Sequence, residues 1–420
     1  MLMSDCRALL HRLEGGDYDR SLVDGGRAAR IIREFQARFP ASERDAALFS
    51  GPGRTEIGGN HTDHQHGRVL CASVDLDMLS CAAPNGTGTV RIVSEGYGAV
   101  EVGLGDLAVQ ESEKNTTTAL VRGVAAGVAA LGYPLSGFDA FVSSNVPAGS
   151  GLSSSAAYEI LLGNIFNRFC CGGALDAVEI ARIGQRAENV YFGKPCGLMD
   201  QMASSVGSAV SIDFADPAAP LIRRIEYDFS RSGHALCIID THASHADLTD
   251  DYAAIPREMG AVAACFGKAV LREVPEAEVR AAIPALRQRC GDRAVLRAMH
   301  FYADDRRAAQ EAEALAGGDF NRFLALVNQS GLSSETLLQN VWSVADPRQQ
   351  AVALSLAVGR ELLDGSGAIR VHGGGFAGTI QAFVPEEKLD GFRAGMDALL
   401  GAGSCHVLHV RPVGGCVILE

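Results

Sequence analysis

Apolar positions recur with helical spacing over residues 27–39, where Ala28, Ile31, Phe35 and Phe39 share one side and Pro40 ends the run. Ala46 to Ser50 is a short apolar run, read as a strand leading into Gly51-Pro-Gly-Arg54. Val69 to Ala83 and Thr89 to Glu95 have strand character, and Thr117 to Leu131 reads as a helix. Phe138 to Ser143 reads as a strand that ends in a turn rich in glycine and serine, Asn145 to Ser155. Beyond it Ala157, Leu161, Ile165 and Phe169 recur every four residues, and Asp176 with Glu179 predicts a capping-box start for the next helix. Short strands and the loop Asp216 to Pro220 follow, and the expected domain boundary lies there. The second half alternates helices (about 253–270, 275–289, 291–316, 319–329 and 333–363) with strands at Ala235 to Ile239, Ala368 to His372, Gly378 to Val384 and Cys405 to Val410. Helices and strands mixed in both halves predict two α+β domains, 1–220 and 221–420.

Composition narrows the function. The 420 residues exceed one small core and hold 47% hydrophobic and 21% charged residues, an ordinary globular balance. With 37 Lys plus Arg against 50 Asp plus Glu, the net charge is -13, which leaves no electrostatic footprint for nucleic acid or an anionic membrane. A phosphorylated ligand would have to be held by local basic groups, backbone N–H groups or a metal ion. The 11 cysteines are scattered, odd in number and without a CxxC, which points away from disulfides and zinc ribbons and towards a reducing cytoplasm. The chain start lacks a signal-peptide pattern, and no run approaches the roughly 20 apolar residues of a membrane span.

Four stretches carry chemistry. Pro147 to Ala156 joins a strand to an amphipathic helix: Gly149 and Gly151 allow close backbone approach, and Ser153, Ser154 and Ser155 stand where unpaired N–H groups and the helix dipole favour an anion. One serine would suffice for a cap, and no GxxxxGK[ST] loop occurs. Gly53 to Gly67 packs Arg54, Asn60, His61 and Asp63 between glycines, as a polyol and a phosphoryl group would require; its ordinary reading is a polar surface loop. His61, Asp63, His64 and His66 also suggest a Zn²⁺ or Mn²⁺ site, although ligands so crowded on one loop are geometrically awkward. Gly193 to Met202 places Asp200 where a loop re-enters structure, either to accept a hydroxyl proton or to cap a helix; Glu188 is a plausible Mg²⁺ ligand or an ordinary helix-surface carboxylate. Val371 to Gly378 is a second glycine cluster.

In this order, the four stretches resemble the galactokinase branch of the GHMP kinases, from about residue 27 to the end of the chain. The resemblance implies a ribosomal-S5-like N-terminal domain and a ferredoxin-like C-terminal domain with the active site between them. It implies ATP-dependent phosphorylation of a monosaccharide, D-galactose, at its anomeric hydroxyl, with Mg²⁺. Asp200 takes the position of the catalytic base and Arg54 that of the arginine at the transferring phosphoryl group. Asn60, His61, Asp63, Gly197 and Tyr252 map onto sugar contacts. Pro147, Gly149, Gly151, Leu152, Ser153, Ser154 and Ser155 map onto the ATP loop, and Ser154 and Glu188 onto the Mg²⁺ site. The expected partners are the sugar and ATP alone, with neither nucleic acid nor membrane, and the default expectation is a monomer. The family motif commonly reads GRxNxIGEHxDY; here Glu56 stands for its Asn, Asn60 for its Glu and His64 for its Tyr, and Ala377 replaces a later Gly. Asn60 is therefore expected to face a sugar hydroxyl and to alter selectivity. The alternatives are a kinase for a related sugar, a non-catalytic sugar sensor and a metallohydrolase.

Overall fold

A computed structural model describes residues 5–42, 44–147, 151–243 and 248–420. Its strands are β1 (Ala47–Gly58), β2 (Arg68–Pro84), β3 (Thr89–Ser94), β4 (Ala99–Gly103), β5 (Phe138–Ser144), β6 (Ala209–Asp213), β7 (Leu221–Ile225), β8 (His234–Asp240), β9 (Ala368–Val371), β10 (Thr379–Pro385), β11 (Cys405–Leu408) and β12 (Cys416–Leu419). An 8-stranded sheet runs β12-β1-β2-β5-β3-β4, with β6 on the far stretch of β2 and β7 on β6. Only β3 and β5 pair in parallel among the pairs of this sheet. A 4-stranded antiparallel sheet follows, in the order β11-β8-β10-β9. This is the two-domain α+β architecture expected from the sequence. The sheet pairing does not divide at residue 220, however: β7 lies beyond it in the first sheet, and β12 returns there to pair with β1.

Side-chain alternation assigns the faces. Ala47 and Phe49 of β1 point into one core beneath the helices Thr117–Ala130, Ser154–Cys170 and Met199–Val206. Leu48 points the other way, onto Leu9, Ile31 and Phe35 of Cys6–Gly15 and Gly25–Arg38. Farther along, Ile57, Leu70 and Ala72 join Leu236, Ile238 and Phe383 of the second sheet in one apolar cluster with Leu315, Phe323 and Val327. The two sheets thus share a core. A second buried cluster, with Val352, Leu356, Phe392 and Met396, covers the opposite face of the second sheet.

Three segments depart from the expectations. The charged motif after residue 50 is not a surface loop, because β1 continues to Gly58 with every residue buried. The helix expected over 333–363 is interrupted: a π-turn ends at Leu338, Gln339 takes φ 59°, and helix resumes at Ala351. Pro347 and the anchored side chain of Asn340 lie in that gap. The helix Cys6–Gly15 was not anticipated, although Asp5 caps it and Cys6, Leu9 and Leu13 share its buried face.

Candidate active site

Arg54 sits on β1 beside an irregularity in the β1–β2 register between Pro52 and Arg54. Such a bulge re-aims a side chain. Gly51 and Gly53, just before Arg54, let β1 lie against the start of Ser154–Cys170: a Cβ on Gly51 would fall 2.3 Å from the Ala157 carbonyl oxygen. The Arg54 amide donates to the Leu152 carbonyl at 3.0 Å. Leu152 itself is buried in the shared core, so what it offers at this point is backbone.

The guanidinium of Arg54 donates twice to Asp200, Nε to Oδ1 and Nη2 to Oδ2, each at 2.7 Å, and Nη1 donates to the Gly151 carbonyl. Ser153 Oγ donates to Asp200 Oδ2 at 2.8 Å. Asp200 lies in the first turn of Met199–Val206, yet it does not cap that helix: its oxygens go to Arg54 and Ser153. Ser153 likewise occupies the N-cap position of Ser154–Cys170 at φ 56° without a capping bond. Burial pushes the Asp200 carboxyl up, but the Arg54 charge and the bonds from Arg54 and Ser153 outweigh it and hold it below the ordinary value. Its ionisation therefore favours the fold above the unfolded carboxylate range, a contribution lost as pH falls through the depressed value. Arg54→Met removes the larger opposing influence, so the Asp200 carboxyl is expected to titrate at higher pH, measured by carbon-13 NMR of labelled aspartate. An unmoved titration would contradict this coupling.

Glu188, 1% exposed, is next to this pair. Its Oε1 accepts from Ser155 Oγ at 2.9 Å and from Lys194 Nζ at 3.1 Å, and Oε2 accepts from Gln201 Nε2 at 2.9 Å. Gln201, adjacent to Asp200, also bonds Glu159 at 2.9 Å. Ser154 makes no side-chain bond among the described residues. Pro147 ends the approach to the loop, and Gly149 lies outside the described residues.

The expected sugar contacts gather around the late glycine cluster and the loop before Asp200. His61 Nε2 bonds the Gly374 carbonyl at 2.9 Å, and the Tyr252 hydroxyl donates to Gly375 O at 2.8 Å. Because that carbonyl only accepts, His61 carries its proton on Nε2 and leaves Nδ1 as an acceptor. Burial, then the neighbouring His64, push the His61 pKa down to about 4, so the ring is neutral near pH 7. Asp63 lies against Gly197, where a Cβ would stand 2.7 Å from Oδ2, so a side chain there would displace the carboxylate. Asp63 and Gly197 border an open cavity of ≈ 470 Å³.

Asn60 does not behave as expected. It is 0% exposed. Its Nδ2 donates to Glu56 Oε1 at 2.9 Å and to Gly373 O at 2.7 Å, while Oδ1 accepts from Asn340 Nδ2 at 2.8 Å and Ser334 Oγ at 3.2 Å. All its hydrogen-bonding capacity goes to protein, so it faces no sugar hydroxyl. Glu56, in turn, is bound by Arg370 Nη2 at 2.8 Å, and both are buried. The departures from the family motif at residues 56 and 60 are therefore one exchange: amide and carboxylate have traded places and touch each other. Arg370 was missed in the sequence because it lies 314 positions from Glu56. Lys194 and Gln201 were quoted within a candidate stretch without a role. The metal alternative also loses its basis: among the described residues no group of three or more His, Cys, Asp or Glu is placed to hold a metal ion.

An anion-favouring helix start, an Arg–Asp pair and a buried Ser–Glu pair at the junction of two α+β layers define a phosphotransferase of the GHMP kinase type. Residues 119–208 match the GHMP kinases N terminal domain, and residues 33–84 match the galactokinase galactose-binding signature. The chain is 32% identical to the galactokinase of Streptomyces coelicolor over 361 residues, 85% of this chain and 89% of that one. In fold it is similar to Lactococcus lactis galactokinase complexed with galactose (TM-score 0.77, 23% identity, 92% of this chain and 98% of that one). It is also similar in fold to Methanococcus jannaschii mevalonate kinase (TM-score 0.61, 14% identity, 86% and 98%). The chain belongs to the galactokinase family.

Proposed function

We propose that this kinase transfers the γ-phosphoryl group of ATP to the C1 hydroxyl of D-galactose, with Arg54 and Asp200 as the catalytic pair. The observation that carries the reading is the two-point Arg54–Asp200 contact, joined by Ser153 at the start of the helix that would face the phosphates. Asp200, held ionised, accepts a hydrogen bond from the attacking hydroxyl and takes its proton as the new bond forms. A carboxylate with a depressed pKa is a weak base. A loose phosphoryl-transfer transition state needs little early proton removal, so orientation is its larger contribution. Arg54 meets charge developing on the transferring group in a site with little water, where preorganised charge counts most. Backbone N–H groups at the start of Ser154–Cys170 favour the phosphates. Gly151, at φ 71° and with a Cβ position 2.9 Å from Thr379 Oγ1, has no room for a side chain there.

The hydroxyl and carboxylate oxygens of Ser154, Ser155 and Glu188 suit Mg²⁺, a hard cation that prefers oxygen ligands. It would neutralise phosphate charge there, in competition with Lys194 for Glu188. His61, Asp63, Gly197 and Tyr252 border the galactose site. No described helix is long and apolar enough to cross a membrane, and none of the 11 cysteines is in a disulfide. Action on a free sugar in the cytoplasm, by a single chain, is part of the same proposal.

A panel of monosaccharides scored for ATP- and Mg²⁺-dependent phosphorylation tests the function; galactose is expected to lead, and an inert galactose would overturn it. Ser154→Ala is expected to raise the Mg²⁺ and ATP needed for half-maximal rate while leaving the galactose KM in place. Unchanged Mg²⁺ and ATP dependence would remove Ser154 from the site.

A further inference from the structure

Beneath Arg54 lies a polar network that the proposed chemistry does not use. Thr55, His372, Thr379 and Gln381 are each 2% exposed or less. His372 directly follows β9 and reaches across to β1, from the second sheet to the first. Its Nε2 is 3.1 Å from Thr55 Oγ1 and accepts from the Glu56 backbone amide at 3.3 Å, while Nδ1 is 2.8 Å from Thr379 Oγ1. Thr55 Oγ1 accepts from Gln381 Nε2 at 2.6 Å, so its own proton is free to go to His372. The bonds fix the tautomer: Nε2 accepts from β1, and Nδ1 donates to Thr379. Burial, with the Arg54 and Arg370 charges nearby, holds the ring neutral. The ring also underlies the ATP loop, since a Cβ on Gly151 would fall 3.1 Å from Nδ1. Gly151 is in turn bonded through its carbonyl by Arg54.

We infer that His372 is a positioning residue for phosphoryl transfer: through its Nε2 bonds to Thr55 and Glu56 it sets the stretch of β1 that aims Arg54 at Asp200 and at the ATP loop. Three parts meet at this one ring: β1, the run of glycines that begins at the next residue, and Gly151. With both ring nitrogens and both threonine hydroxyls bonded, this buried contact fixes one arrangement, whereas an apolar contact would tolerate sliding. Of the two ring nitrogens, only Nε2 touches the arginine-bearing strand, so the two halves of the ring are separable by substitution.

The inference rests on the proposed role of Arg54, and two isosteres test it apart from that role. Gln places an acceptor near the Nε2 position and keeps the β1 bonds; Asn places a donor near Nδ1 and keeps only the Thr379 bond. Both variants would be purified with the parent and with Arg54→Met, and kcat, KM for ATP and galactose, and thermal unfolding compared. His372→Asn is expected to lower kcat by roughly tenfold or more with both KM values nearly unchanged, while His372→Gln stays within about threefold of the parent. If Asn and Gln variants have the same kcat, or if kcat per folded molecule matches the parent in both, His372 only fills space and the inference fails. A parent that is inactive on galactose would refute the functional reading instead, whereas an Arg54→Met variant that keeps full turnover would overturn both. The Asn/Gln comparison on whatever sugar is turned over would still judge His372.

Discussion

In Asp200→Asn, kcat is expected to fall by roughly 10²–10⁴-fold while galactose still binds, the range that loss of a positioned general base gives. The carboxylate is held from three directions, by Arg54 Nε, Arg54 Nη2 and Ser153 Oγ. An amide of the same shape offers one acceptor oxygen and one donor nitrogen, so one Arg54 N–H would face another donor. Two losses therefore combine: the acceptor for the sugar hydroxyl becomes weaker, and Arg54 is no longer clamped at two points. Sugar contacts assigned to His61, Asp63 and Tyr252 lie outside this pair, so KM for galactose should move far less than kcat. Steady-state kinetics with an independent galactose-binding measurement separate the two. Parent-like turnover would reduce Asp200 to an anchor for Arg54 and leave the reaction without its base.

The second large effect concerns stability. Asn60→Glu is expected to destabilise the protein by about 3–5 kcal/mol, the scale of leaving a buried charge uncompensated. The Asn60 amide donates to Glu56 and to Gly373 O. An ionised Glu there has no donor, and it sets a second carboxylate against Glu56, to which Arg370 is the one cation bonded among the described residues. The double variant Glu56→Asn/Asn60→Glu restores one amide and one carboxylate in contact, so it should recover much of the loss, as strongly coupled neighbours do. Denaturant unfolding of the two singles and the double measures the coupling. An unchanged midpoint for Asn60→Glu would show that the site relaxes around the new charge. The expectation that residue 60 selects among sugars fails because its amide is taken up by protein partners, Glu56 among them. Seen with Glu56, the exchange is internal to the fold.

These residues show where the sequence was informative. Local pattern found the helix after the glycine-serine turn, because its apolar spacing is regular and its start is marked by glycine and serine. It found the capping box at Asp176 and Glu179, where both reciprocal bonds are present. It missed the continuation of β1 through Gly51-Pro-Gly-Arg54, since glycine and proline read as a turn when nothing shows that β2 and a helix start press on both faces. The break after Leu338 was equally hidden, because Asn340 leaves the helix to reach Asn60, 280 positions away. Candidate residues were legible one by one; their partners were not. Arg370 and His372 both act across the two sheets, and no short-range spacing encodes a contact of that kind.

The central claim is phosphorylation at the anomeric hydroxyl, and phosphorus-31 NMR of a reaction of the parent protein with galactose, ATP and Mg²⁺ tests it most directly. The account predicts ADP together with a sugar phosphate whose phosphorus couples to the anomeric proton, and no such signal at matched times with Asp200→Asn. A phosphate coupled to another ring proton, or ATP turned over to free phosphate with galactose untouched, would contradict it.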